Sequence, residues 1–241
     1  HGRVAARVGV LARRMSSGGG GGGDGSAGMS KGGRYAVASI VAMNVLVYMM
    51  WQSGNPRFMM RHFMLCMDHF QWHTLITYAF SHQDLWHLAV NMAGLLCFAA
   101  PMVAALGAPA FLGAYASMGV LSGLAFTQRE GATPPLTMRF NDGSSYVMMR
   151  DRSLRALGAS GAVYGVAAYS LCAAPFARVP FLPVPLWLLA AGVVACNAYF
   201  FAAHTMKLGA FPDPIFQTAH LAGAVTGGLL FLATRGRVRR A

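Results

Sequence analysis

Of 241 residues, 56% are hydrophobic and only 11% charged, with a mean hydropathy of +0.47. Soluble domains carry about a quarter charged residues, so this composition excludes one and reads as an integral membrane protein. Nineteen Lys and Arg stand against seven Asp and Glu, giving a net charge of +12. The basic residues flank apolar runs and build no basic, aromatic-interleaved face, which excludes nucleic acid as a partner.

The residues His1 to Arg14 hold four arginines, no acid and alternating Val, Ala and Leu. That is the composition of an organellar transit segment, or of a plain basic tail. A chain that begins with His reads as a piece of a longer protein. Gly18 to Gly23 is a glycine run, and residues 1–34 are expected to form a basic, Gly-rich flexible or targeting segment.

Six apolar runs follow, expected as six transmembrane helices of one domain over residues 35–234. The first is Tyr35 to Trp51, entered past Lys31 and Arg34. The connection Gln52 to Ser81 is rich in Phe, Met and Trp, and its amphipathic character predicts a segment lying in the interface. The second span runs from about His87 to Leu106, with a tight turn at Gly107-Ala108-Pro109, and the third from Ala110 to Phe126. Thr127 to Arg155 is the most polar internal segment, with Pro134-Pro135 and Asn141-Asp142-Gly143 as turn signals. The fourth span is Leu157 to Ala174, the fifth Leu186 to Ala203 and the sixth Ala219 to Thr234. Pro175 to Pro185 separates the fourth and fifth spans. His204 to Thr218, carrying Phe211-Pro212-Asp213-Pro214, separates the last two. A basic tail, 235–241, closes the chain.

Six spans put both termini on one side. That side then carries a net charge of +10 and the other +2, which places the tails on the cytosol-equivalent side. The four cysteines, Cys66, Cys97, Cys172 and Cys196, lie far apart without metal-ligand spacing or a disulfide framework, and read as packing residues.

All seven acids fall outside the spans, so catalysis at membrane depth must run without a carboxylate. Ionisable side chains inside spans are costly and are functional candidates by default. His87 and His220 are the two, each near the start of its span. Ser160 opens the fourth span between small residues, in Gly158-Ala159-Ser160-Gly161, and a serine needs a base within hydrogen-bond reach to act as a nucleophile. His87 and Asn91 share a helix face at i,i+4, as do Ser160 and Tyr164. His220, Gly223 and Gly227 share another, and Gly161 and Gly165 repeat the small-residue device on the serine helix. Two helices meeting through glycines can bring the Ser160 hydroxyl to the His220 imidazole. Spans two, four and six enter from one side, so the three stretches reach similar depth. The start of a helix also favours a developing oxyanion at Ser160. The bland alternative is Gly/Ala packing with incidental histidines.

These stretches resemble the motifs of rhomboid intramembrane serine proteases. Gly158-Ala159-Ser160-Gly161 with Tyr164 is similar to the family's G-x-S-G-x-x-Y, and His82, His87 and Asn91 to its H-x-x-x-x-H-x-x-x-N. Ala219-His220-Leu221-Ala222-Gly223 with Gly227 is similar to A-H-x-x-G-x-x-x-G. The resemblance covers Tyr35 to Thr234 and is nearest the mitochondrial branch, which often carries a further span ahead of the six. It implies an all-α, six-helix bundle with Ser160 as nucleophile, His220 as general base and Tyr164 stacked on that imidazole. It further implies an oxyanion site of His87, Asn91 and the Ser160 N–H, with His82 structural at the mouth. One departure stands out: the family's first loop carries W-R ahead of the position of Thr77, whereas Trp72-His73 here lies one place off that register and has no arginine.

The implied activity is cleavage of single-span transmembrane proteins through an acyl-enzyme, with no metal or cofactor. A catalytically silent relative that binds or escorts membrane clients is the alternative. A channel or carrier finds no intramembrane charge ladder or inverted repeat in support. Expected localisation is the inner mitochondrial membrane, with a chloroplast or secretory membrane as runner-up.

Overall fold

The computed structural model describes residues 29–66, 70–132, 136–139, 145–148, 155–180, 182–205 and 215–238. The transit-like leader, the glycine run, the Pro134-Pro135 and Asn141-Asp142-Gly143 turns, the Phe211 to Pro214 stretch and the end of the basic tail lie outside them. Each of the six apolar runs carries a helix, and the molecule is a polytopic helical membrane protein.

Helix α1, Lys31–Ser53, begins where the Ser30 hydroxyl accepts the Gly33 N–H. A short helix α2, Pro56–Phe63, is capped by Asn55. It leads to strand β1, Leu65–Cys66, then helix α3, Thr74–Thr77, and a 3-10 turn, Tyr78–Phe80. Helix α4, Leu85–Leu106, starts at an Asp84 cap whose carboxylate accepts the His87 N–H at 2.8 Å. The turn expected over three residues is made by Gly107 alone, at φ +76°, and helix α5 resumes at once over Ala108–Ala132.

Strands β2, Leu136–Arg139, and β3, Ser145–Met148, form an antiparallel hairpin. Strand β4, Arg155–Ala156, pairs antiparallel with β1, so Leu65 faces Ala156. Helices α6, Ser160–Ala173, α7, Leu186–Thr205, and α8, Ile215–Val238, complete the bundle.

Among the described residues, three helical segments are long and apolar enough to cross a membrane: Lys31–Ser53, Leu85–Leu106 and Ala108–Gln128. Helix α6 is different. Its 14 residues rise about 21 Å, short of a hydrocarbon core of about 30 Å. A span was expected from Leu157, but the chain reaches Ser160 in non-helical form. Backbone groups at depth must then find protein partners. They do: Arg155–Ala156 bonds β1, the Gly158 N–H donates to the Tyr78 carbonyl at 2.9 Å, and the Ala159 N–H reaches His82 Nε2 at 3.4 Å.

The main core gathers α1, α4, α5 and α6 around Leu95, Phe98, Met102, Phe111, Tyr115 and Tyr169. Helix α6 is tied to α4 by the Ser170 hydroxyl donating to the Phe98 carbonyl, and to α8 by Tyr169 and Thr234. A second cluster, Leu65, Leu75, Tyr78, Ala79, Phe126 and Ala156, packs the first loop onto the end of α5. The expected amphipathic segment is therefore divided. Met59, Met64, Leu65, Leu75 and Tyr78 are buried against the bundle, while Phe58, Trp72 and Ile76 are exposed. His73, beside Trp72 in this loop, stacks on His62 at 5.1 Å, with its Nε2 3.1 Å from Nδ1 of His62. The Thr77 hydroxyl, donating to the His62 carbonyl, adds a second link between α2 and α3.

Candidate active site

Ser160 is the first residue of α6, where its backbone N–H has no partner within the helix. His220 sits a turn and a half into α8, deeper in its helix than the apolar run suggested, because the helix begins at Ile215. The two side chains meet: His220 Nε2 is 2.8 Å from Ser160 Oγ. The imidazole lies flat on the Tyr164 ring, with centroids 4.4 Å apart and planes within 5°.

Glycines make this approach possible. A Cβ at Gly223 would overlap the Gly161 carbonyl oxygen, and one at Gly227 the Gly165 carbonyl oxygen. Helices α6 and α8 thus touch backbone to backbone for two turns, which is how small-residue faces associate in membranes. Ser122 of α5, fully buried, fills the space beside Gly161 and Gly223.

The second-span residues border the same point. His87 lies against Gly158, whose φ of +127° needs glycine and whose absent Cβ would stand 2.8 Å from His87 Cε1. Asn91 is 5% exposed and gives one amide N–H to the His87 carbonyl at 2.9 Å, keeping a second N–H. His82 is fully buried, edge-on to His87 at 4.8 Å. Burial, then the neighbouring His87, pushes its pKa down to about 3, so it is neutral and its Nε2 accepts from Ala159. Trp51, at the end of α1, donates to the Ser81 hydroxyl and steadies the segment that carries His82.

Among the described residues, no hydrogen-bond partner reaches His220 Nδ1, and no group of three or more His, Cys, Asp or Glu is gathered that could hold a metal. The arrangement can carry out nucleophilic attack by a hydroxyl with an imidazole as proton acceptor. All ten residues singled out from sequence — Ser160, His220, His87, Asn91, His82, Gly158, Gly161, Tyr164, Gly223 and Gly227 — lie at or around this junction. The sequence reading missed Asn197 of α7, which donates to the Tyr164 hydroxyl. Its one signal in the sequence is a lone amide within the fifth apolar run.

Comparison with known proteins gives concordant matches. A rhomboid-domain family model matches residues 69–237. The chain is 33% identical over 214 residues to RHOMBOID-like protein 12, mitochondrial, of Arabidopsis thaliana, covering 86% of this chain and 60% of that protein. It is 30% identical to Rhomboid protein 1, mitochondrial, of Saccharomyces cerevisiae (80% and 51%). The identity is also 30% to the human Presenilin-associated rhomboid-like protein, mitochondrial (81% and 47%). The chain thus spans about half the length of the relatives it matches.

Proposed function

The chain belongs to the rhomboid family, and from that premise we propose that it is an intramembrane serine endopeptidase. Ser160 attacks a peptide carbonyl while His220 Nε2 takes its proton. The tetrahedral oxyanion is held by donors at the start of α6 and from His87 and Asn91. His220 then returns the proton to the leaving amine, and water hydrolyses the acyl-enzyme. Substrates are single-span membrane proteins with a helix-weakening segment, because a peptide bond inside a helix is shielded from attack. The single observation that supports this reading is the 2.8 Å contact of His220 Nε2 with Ser160 Oγ beneath the Tyr164 stack.

The protein is integral to a mitochondrial membrane, in keeping with its relatives. The inner membrane, with residues 1–34 as leader, 35–234 as protease domain and 235–241 as tail, is our finer assignment.

The test is direct. Ser160→Ala and His220→Ala should each abolish cleavage of a model transmembrane substrate without lowering expression. A fluorophosphonate or isocoumarin should label Ser160. Cleavage by Ser160→Ala, or labelling that persists in it, overturns the assignment.

A further inference from the structure

The polar contacts around the imidazole extend one helix beyond the dyad. In α7, Leu186 and Ala190 are buried, but beyond them Val194, Cys196 and Tyr199 are exposed. Asn197 sits in this outer half, partly buried in an otherwise apolar stretch. An amide there is costly unless its N–H groups are satisfied by protein. Both directions of its nitrogen are used: Nδ2 donates to the Val193 carbonyl at 2.8 Å, on its own helix, and to the Tyr164 hydroxyl on α6.

We infer that Asn197 is a positioning residue: it fixes where the Tyr164 ring lies and, through the stack, where the His220 imidazole is held. The inference rests on the reading of Ser160 and His220 as the dyad. In a triad, a carboxylate on the second ring nitrogen sets the orientation of the base. Here His220 Nδ1 meets no hydrogen-bond partner among the described residues, so the ring is held by its bond to Ser160 and by the Tyr164 face. A stacked face orients its neighbour only as firmly as it is itself held. Tyr164 turns about two side-chain bonds: the bond from Asn197 to its hydroxyl fixes where the ring lies, and contact with the imidazole sets the plane of the ring. Asn197, Tyr164, His220 and Ser160 thereby form one relay of contacts across α7, α6 and α8.

The experiment is a double-mutant cycle in the full chain, with Asn197→Leu, Tyr164→Phe and the pair. Steady-state cleavage and the rate of fluorophosphonate labelling at Ser160 are the readouts. A lost interhelical hydrogen bond should lower kcat and the labelling rate about three- to tenfold, with KM unchanged. The double variant should be no slower than either single, and Asn197→Gln, which retains the amide, should recover part of the loss. A parental rate in Asn197→Leu, losses that multiply in the pair, or a change in KM instead of kcat overturns the inference. So does a rate loss explained by a lower unfolding temperature that Asn197→Gln fails to restore. Ser160→Ala, run in each background, separates the two levels. Labelling that persists in it brings down the dyad; labelling lost in it, with Asn197 uncoupled from Tyr164, brings down only the role of Asn197.

Discussion

Asn91 gives one amide N–H to the His87 carbonyl. If it serves the oxyanion, removing it should cost about 10²–10³ in turnover, as loss of a single donor does elsewhere. Asn91→Ala and His87→Ala should therefore lower kcat with little change in KM. Parental turnover in both would mean that the oxyanion is held by other groups. His82 makes a different prediction. With its pKa pushed from 6.5 to about 3 by burial, the unfolded chain binds a proton that the folded protein refuses between those values. The stability tied to neutral His82 is complete above its unfolded pKa of 6.5 and is lost as the pH falls towards 3. Thermal unfolding of the detergent-solubilised protein should fall across that window, and less steeply in His82→Gln. Equal slopes would remove the assignment.

At the scale of the helices, the contact between α6 and α8 admits a sharp comparison. Gly227 meets the Gly165 carbonyl, whereas a Cβ at its neighbour Gly228 meets nothing within 4 Å. Gly227→Ala should push the helices apart, costing about 1–3 kcal/mol as overpacked cores do. Both unfolding temperature and Ser160 labelling should drop. Gly228→Ala should leave both unchanged, and indifference to either substitution would show the contact to be unimportant. The same glycines were readable from spacing alone, because a period of three and four residues maps onto one helix face.

Helix boundaries were less readable, each for its own reason. Hydropathy reports what lipid tolerates, not where helices stop, so α5 continues through polar Thr127 to Ala132. The last apolar run suggests a helix from Ala219, yet α8 already starts at Ile215, through polar Gln217 and Thr218. Leu157 to Ala159 is apolar and still non-helical, because Gly158 and Ala159 spend their N–H groups on Tyr78 and His82, distant in sequence. The pairing of β1 with β4 is likewise a tertiary event with no local signal. Motif residues stand out because their chemistry is rare inside a membrane; Asn197 does not, because it carries no charge and has no polar residue three or four places along its helix to form a motif with.

For the molecule as a whole, the charge split of +10 against +2 predicts which way it faces. In the inner mitochondrial membrane, both tails would lie in the matrix and the site would open to the intermembrane space. A C-terminal tag should survive protease treatment of intact mitoplasts, and a digested tag would reverse the orientation. The far separation of Ser160 from His220 along the chain has a consequence in time as well. The helix that opens at Ser160 and the one that opens at Ile215 must both be in place before the two side chains meet. Until they pack, Gly161 and Gly165 lack the backbone of α8 against them, and Ser160 has no imidazole beside it. If the pair is the dyad we propose, activity appears only once α8 has docked on α6, and a copy in which it has not docked cannot cleave its neighbours.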